Sequence, residues 1–378
     1  MAVTWQWLAD SESALIFGGD SNARTRKSPV KLNMSIDAAY RASVIAMASA
    51  TASSLPRVVP GGAAPLVQAL AYHHLGLGCR SVPASVAFYA QLGWSILPGG
   101  DLASSRGKSI VRLKHANDLE LHLVAADDEA PTSADDSPLN ILMDVPTVKP
   151  PGHTHASWTV PSVPSASAFL GARGIAISGT RSTLAVFVRD VDRTTLEFER
   201  NDGNDSPPDA FGPEHIGAGR TLDHVGIRTR APHDRHTRWY AETLGFSGLA
   251  RRYDVDADPL KNGSPWITRT PSGCDINFIP NCNTPAPADG EAAENALLAG
   301  GRVLPGILYA SFAVDATDAA TLLDRLRAAG VVAALDSDAA AIGVPPHIIA
   351  PIQVPTVLLR DLCGTLLRLV PTVTTGAA

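Results

Sequence analysis

Apolar and polar residues alternate along Tyr72–Cys79, take helical spacing over Val86–Leu92, and alternate again over Ile110–Leu113 and Leu119–Val124. The same order returns three times. A strand at His155–Val160 leads to a helix at Ala166–Arg173 and strands at Leu184–Val188 and Thr194–Arg200. A third unit predicts a strand at His224–Thr229, a helix at Asp234–Thr243, and strands at Trp266–Arg269 and Asp275–Ile279. The fourth predicts a strand at Leu308–Val314, a helix at Ala319–Ala329, and strands at Thr356–Leu359 and Leu366–Val370. Two of the helices stop at Gly174 and Gly330, residues that accept the left-handed conformation of a helix end. The chain is therefore read as α+β, built of four units that each run strand, helix, then about three strands.

The opening strands carry an internal repeat. His74-Leu-Gly-Leu-Gly leads to Tyr89 and Leu92-Gly93-Trp94, and His224-Val-Gly-Ile-Arg leads to Tyr240 and Leu244-Gly245-Phe246. A polar stretch rich in Gly and Pro, beginning Asn201-Asp-Gly-Asn-Asp-Ser-Pro-Pro208 and reaching Arg220, separates the second unit from the third. The resulting division is an extension over 1–70 read as poorly ordered, a first domain over 71–202, a linker over 203–220 and a second domain over 221–372. Segments 125–152 and 280–306 are the long loops within the two domains.

Composition narrows the function classes. A net charge of -6 with no basic stripe argues against a nucleic-acid surface. No apolar run reaches the roughly 18 residues a membrane helix needs, so no membrane partner is expected. Cys79, Cys274, Cys282 and Cys363 form no C-x-x-C pair, which points to reduced thiols and a cytoplasmic setting. The extension is Ala- and Ser-rich and mostly basic from Arg24 to Arg57, so it leaves organellar targeting open, although Asp10, Glu12 and Asp20 run against a transit peptide.

The run from His74 to Tyr89, together with Arg189-Asp-Val-Asp-Arg-Thr-Thr-Leu-Glu-Phe198, resembles the opening and closing motifs of the vicinal oxygen chelate superfamily. That group includes glyoxalase I, methylmalonyl-CoA epimerase, extradiol dioxygenases and bleomycin-resistance proteins. The resemblance implies four βαβββ modules paired into two glyoxalase-like domains. In each pair a mixed sheet curls around one concave site, with metal ligands on the first and last strands of each module. Carried over residue by residue, the first pair offers His74, Glu120, His155 and Glu197. Imidazoles and carboxylates of this kind suit a divalent metal ion, whether Zn, Ni, Fe(II) or Mn. The second pair offers His224, Asp275, Tyr309 and Arg368, and a guanidinium cannot bind a cation. The metal is accordingly expected in the N-terminal pair alone.

What the resemblance implies for chemistry is a glyoxalase-type lyase or isomerase acting on a small substrate that chelates the metal through adjacent oxygens and passes through an enediolate. Glu197 is then the catalytic base, with Glu120 the alternative. An Fe(II) extradiol-type dioxygenase using His74, His155 and Glu197 is the second reading, and a non-catalytic resistance-type binder the third. His122 shares a strand face with Glu120, as His153 does with His155, and either is a candidate neighbour of the metal. His153 also reads as a loop residue, His73 is expected to point away from His74, and Trp158 is expected in the core. Arg181 and Arg189 are candidates for a substrate carboxylate. Pairing of domains within the chain makes a monomer feasible.

Overall fold

The computed structural model describes residues 64–103, 109–116, 119–127, 151–181, 184–200, 209–217, 222–230, 233–246, 248–252, 266–270, 273–279, 282, 297–298, 301–350, 352 and 354–372. The N-terminal extension up to residue 63, most of the 125–152 and 280–306 loops, and much of the 203–220 linker lie outside the described residues.

Among the described residues, sixteen strands and four α-helices build four βαβββ modules. The first comprises β1 (Ala69–Cys79), α1 (Val82–Gln91), β2 (Ser95–Ala103), β3 (Ser109–Lys114) and β4 (Glu120–Ala125). The second comprises β5 (Gly152–Val160), α2 (Val163–Ala172), β6 (Ile177–Arg181), β7 (Ala185–Arg189) and β8 (Thr195–Arg200). The third has β9 (His224–Arg228), α3 (His233–Leu244), β10 (Gly248–Arg252), β11 (Trp266–Arg269) and β12 (Asp275–Ile279). The fourth has β13 (Gly306–Asp315), α4 (Ala319–Ala328), β14 (Ala333–Leu335), β15 (Val357–Arg360) and β16 (Leu366–Thr372). The first two helices begin alike: Ser81 and Ser162 cap them by accepting from Ala84 N and Ser165 N, and a proline follows in the first turn.

One outer strand per module, β2, β6, β10 or β14, is absent from the sequence reading. These strands lie at the ends of the sheets, where one side has no partner strand among the described residues. Ile96 and Ile177 on two of them are exposed, and β2 contains Pro98-Gly99-Gly100, so no alternating apolar signal marks them.

The sheet order corrects the expected pairing. Sheet A runs β14-β15-β16-β13-β1-β4-β3-β2 and sheet B runs β10-β11-β12-β9-β5-β8-β7-β6. Each sheet thus joins modules from opposite ends of the linker, the first with the fourth and the second with the third. The first and second modules, and the third and fourth, meet instead through helices and turns. Tyr89 on α1 donates to Asp190 Oδ2 at 2.9 Å in the turn before β8, and Tyr240 on α3 donates to Asp361 Oδ2 at 2.9 Å before β16. That packing leaves the edges of β1 and β5 open, and β13 and β9 close them by antiparallel pairing. Both sheets and all four helices contribute to one large apolar core, in which Trp158 packs edge-on against Trp94 and tilted against Phe198. Trp158 is the core residue its pattern predicts.

Candidate metal centre

Residues paired in register across a sheet share a face, so rows can be read across the strands. In sheet B, Asp275, His224, Ser157, Glu197 and Phe187 form one row, and Asn277, Gly226, His155, Thr195 and Arg189 form the next. In sheet A the corresponding rows are Glu120, His74, Ser311, Arg368 and Leu358, then His122, Gly76, Tyr309, Leu366 and Arg360; the Tyr309–Leu366 step extends the β13–β16 register by one residue. His224 is therefore the counterpart of His74, Asp275 of Glu120, His155 of Tyr309, and Glu197 of Arg368.

Sheet B brings three donors together. His155 Nε2 and His224 Nε2 face each other at 3.0 Å, and Glu197 Oε2 lies 3.2 Å from the first and 3.3 Å from the second. All three side chains are buried. Donors bonded to one cation at about 2.1 Å stand about 3.0 Å apart in octahedral and about 3.4 Å apart in tetrahedral geometry, so the triangle has the dimensions of a coordination face. The outer nitrogens are also engaged. His224 Nδ1 lies 2.8 Å from Asp223 Oδ2, and His155 Nδ1 lies 2.9 Å from Thr154 Oγ1. With the proton on Nδ1, each ring turns the Nε2 lone pair toward Glu197.

Electrostatics agree with a cation position. Burial disfavours the charged form of His224, but Asp223 and Glu197 outweigh it and raise its pKa to about 10. Burial likewise opposes ionisation of Glu197, yet its contacts with His155 and His224 hold it well below the usual carboxylate range. The carboxylate is thus balanced by the positive charge of the His224 ring, whose proton a divalent ion would have to displace. Glu199 Oε2, at 3.7 Å from His224 Nδ1, adds a further carboxylate behind the ring.

Local sequence explains the convergence. Before β8, Asp190 Oδ1 accepts from Asp192 N at 2.9 Å and Thr194 N at 2.7 Å, a tight turn in which Arg193 takes the left-handed φ of 67°. The turn sets the phase of β8, so Leu196 and Phe198 enter the core while Glu197 faces the other way. On β9, Gly226 makes room for the imidazole of His155, because a Cβ there would sit 2.1 Å from its ring atoms.

The expected four-ligand set is divided by the sheet pairing. His155 and Glu197 meet in sheet B with His224, whereas His74 and Glu120 lie in sheet A, outside the groups whose donors converge among the described residues. In sheet A, Arg368 Nη1 donates to His74 Nε2 at 3.3 Å and occupies that lone pair. The remaining guanidinium donors reach Thr356 Oγ1 at 2.9 Å, Ala350 O at 3.0 Å and Asp336 Oδ2 at 3.4 Å. Glu120 Oε2 accepts from Arg112 Nη2 at 2.8 Å and from His122 Nε2 at 3.3 Å; despite burial, these contacts lower its pKa to about 2. A second apolar cluster, including Tyr309, Leu358, Leu366 and Val124, packs over these rows against Ala339, Val344 and Ile348. Among the described residues this cluster covers the face of sheet A that carries Tyr309 and Leu366.

Other expectations resolve individually. His73 meets His74 at 2.8 Å between their Nδ1 atoms, because the register of β1 shifts between Tyr72 and His74 and breaks the alternation. His153 is a buried strand residue, not a loop residue; the register shift between His153 and His155 takes it off the row of His155, and its Nε2 lies 3.1 Å from Leu366 O. Arg189 is half-buried opposite Thr195, and the side chain of Arg181 lies outside the described residues. The four cysteines are free thiols. Among the described residues no helix is long and apolar enough to cross a membrane.

No family model matches the chain, and no curated protein matches it. Solved structures similar to it include a putative dioxygenase from Bacillus subtilis subsp. subtilis str. 168, at 13% identity over 80% of this chain and 86% of that one, with a TM-score of 0.49. Glyoxalase I from Zea mays is similar at 12% identity over 80% and 92% of the two chains, with a TM-score of 0.48. A glyoxylase/bleomycin resistance protein/dioxygenase domain from Frankia sp. EAN1pec matches 35% of this chain and 92% of its own, at 20% identity and a TM-score of 0.26. The fold assignment rests on strand order and register; these likenesses add nothing about chemistry.

Proposed function

We propose that the protein is a divalent-metal-dependent enzyme of the vicinal oxygen chelate type, acting on a small molecule that binds through two adjacent oxygens at His155, His224 and Glu197. The observation that carries this reading is the buried triangle of two imidazole nitrogens and one carboxylate oxygen at 3.0, 3.2 and 3.3 Å. When bound, the cation supplies Lewis-acid stabilisation of negative charge on a substrate oxygen. Asp223 and Thr154 orient the two imidazoles that would hold it, and the surrounding burial excludes water. In the lyase or isomerase form of the reading, Glu197 is the proton acceptor, and Glu120, held by Arg112 in the other sheet, has no part.

A second reading draws on Asp275. This carboxylate is next to His224 in its row, where a fourth ligand would stand, yet Arg269 binds both of its oxygens at 2.5 Å. That pairing leaves two histidines and one glutamate, the donor set of Fe(II) oxygenases with open positions. The readings separate by experiment. Metal analysis of the purified protein is expected to give one divalent ion per chain, lost in His155→Ala, His224→Ala and Glu197→Gln and retained in His74→Ala. Equal metal content in all four variants would remove the site. Reconstitution with Ni(II), Zn(II) and Fe(II) in turn then distinguishes turnover of an α-ketoaldehyde from oxygen consumption with a catechol.

A further inference from the structure

Alignment of the two sheets exposes one residue whose surroundings differ between them. Asn277 on β12 corresponds to His122 on β4: each lies two residues after the carboxylate position and opposite the glycine that follows the opening histidine by two, Gly226 or Gly76. In sheet A the His122 ring stacks on His74 with centroids 3.9 Å apart, and its nitrogens lie 3.3 Å from Tyr309 Oη and 3.3 Å from Glu120 Oε2. The counterparts of those neighbours are His224, His155 and Asp275. Position 277 therefore faces the proposed metal centre.

Asn277 is 6% exposed, and its Oδ1 has no hydrogen-bond partner among the described residues. Neither register neighbour can supply one, since Gly226 has no side chain and Ile267 is apolar. In sheet A the corresponding outer neighbour is Arg112. A buried carbonyl oxygen left unpaired costs on the order of 1–3 kcal/mol, so an acceptor retained here calls for a donor from outside the protein. The hydroxyl of Ser157 is also buried without a partner, but so is its counterpart Ser311 in sheet A, so serine does not distinguish the two faces.

The geometry points to Asn277 as a substrate-recognition residue whose Oδ1 accepts a hydrogen bond from a hydroxyl group of the metal-chelating molecule. The substrate class is then an adjacent-oxygen chelator that carries a further hydroxyl. This rests on the metal centre proposed above, and the test keeps the two apart. The full-length protein, loaded with Ni(II), is titrated calorimetrically with glycerate and with lactate, which share an α-hydroxycarboxylate and differ by one hydroxyl group. Glycerate is expected to bind at least about 10-fold tighter, because a site built to pair a hydroxyl discriminates against the analogue lacking it. In Asn277→Leu, close in volume, the preference is expected to fall to near unity while affinity for Ni(II) stays unchanged. Asn277→Ala, which removes the amide without adding a metal donor, serves as the second variant and is likewise expected to lose the preference at unchanged Ni(II) affinity. Equal binding of the two acids by the wild type, failure of both to bind, or a preference that survives in Asn277→Leu overturns the assignment with the metal site intact. Failure of the wild type to bind Ni(II) removes the metal reading, and the assignment with it.

Discussion

Asp223 and His73 hold the same place before the counterpart histidines, and the difference between them divides the two sheets chemically. Asp223 fixes the Nδ1 proton of His224 and leaves Nε2 to face His155 and Glu197, whereas His74, backed by His73, spends its Nε2 on the guanidinium of Arg368. Asp223→Ala is expected to weaken metal binding about 10- to 100-fold, the usual effect of removing a residue that orients a ligand. Competition with a chromophoric chelator measures this, and unchanged affinity would show that Asp223 does not orient the ligand. The histidines of sheet A give a pH prediction. Burial, reinforced by Arg368 and Arg112, lowers the His122 pKa from 6.5 to about 4 against the opposing pull of Glu120. A histidine kept neutral in the fold contributes stability above the unfolded value of 6.5, which is lost as pH falls toward 4. The loss is at most about 1.4 kcal/mol per pH unit for this one group. Urea unfolding of His122→Gln between pH 7 and 4.5 is expected to show a shallower slope than the wild type; identical slopes would exclude His122 as the group responsible.

At the scale of elements, the strand rows depend on glycines that leave space for a ring from the neighbouring strand. A Cβ at Gly226 would meet the imidazole of His155 at 2.1 Å, and one at Gly76 would meet the Tyr309 ring at 2.1 Å. Both rings are buried, so either alanine substitution forces a rearrangement costing about 1–3 kcal/mol. Their functional consequences are expected to diverge. Gly226→Ala lowers stability and metal affinity together, while Gly76→Ala lowers stability alone, as thermal unfolding with and without added metal will report. Most elements were legible from period and turn residues, including the opening strands, the four helices and the closing strands. The outer strands were not, because an edge with a solvent side needs no alternation. The closing turns carried the clearest local signal: Asp190 and Asp361 each accept from two backbone N–H groups in the turn they precede.

At the scale of the molecule, each half of the chain supplies one module to each sheet. His155 and Glu197 come from one half and His224 from the other, so neither half contains the centre. Residues 64–202 and 203–372 expressed separately are each expected to bind metal at least about 100-fold more weakly than the whole chain, with binding restored on mixing. A half that binds metal as a monomer with wild-type affinity would contradict the exchanged arrangement. Recombination is favoured because it restores the antiparallel β1–β13 and β5–β9 pairings, whose edges would otherwise stand open.

The sequence by itself determined the four modules, the strand faces on which His74, Glu120, His155, Glu197 and His224 lie, and the incapacity of Arg368 to serve as a ligand, since each follows from local periodicity or side-chain chemistry. Its cation-competent set, His74, Glu120, His155 and Glu197, is divided between the two sheets. Only the tertiary structure decided which modules share a sheet. Pairing within each half and pairing across halves satisfy the same alternation, and nothing local distinguishes them. Tyr89 and Tyr240 settle the matter by docking the first module on the second and the third on the fourth through helix and turn, which commits the strand edges to partners across the linker. That choice moves Arg368 onto His74 and brings His224 to His155 and Glu197.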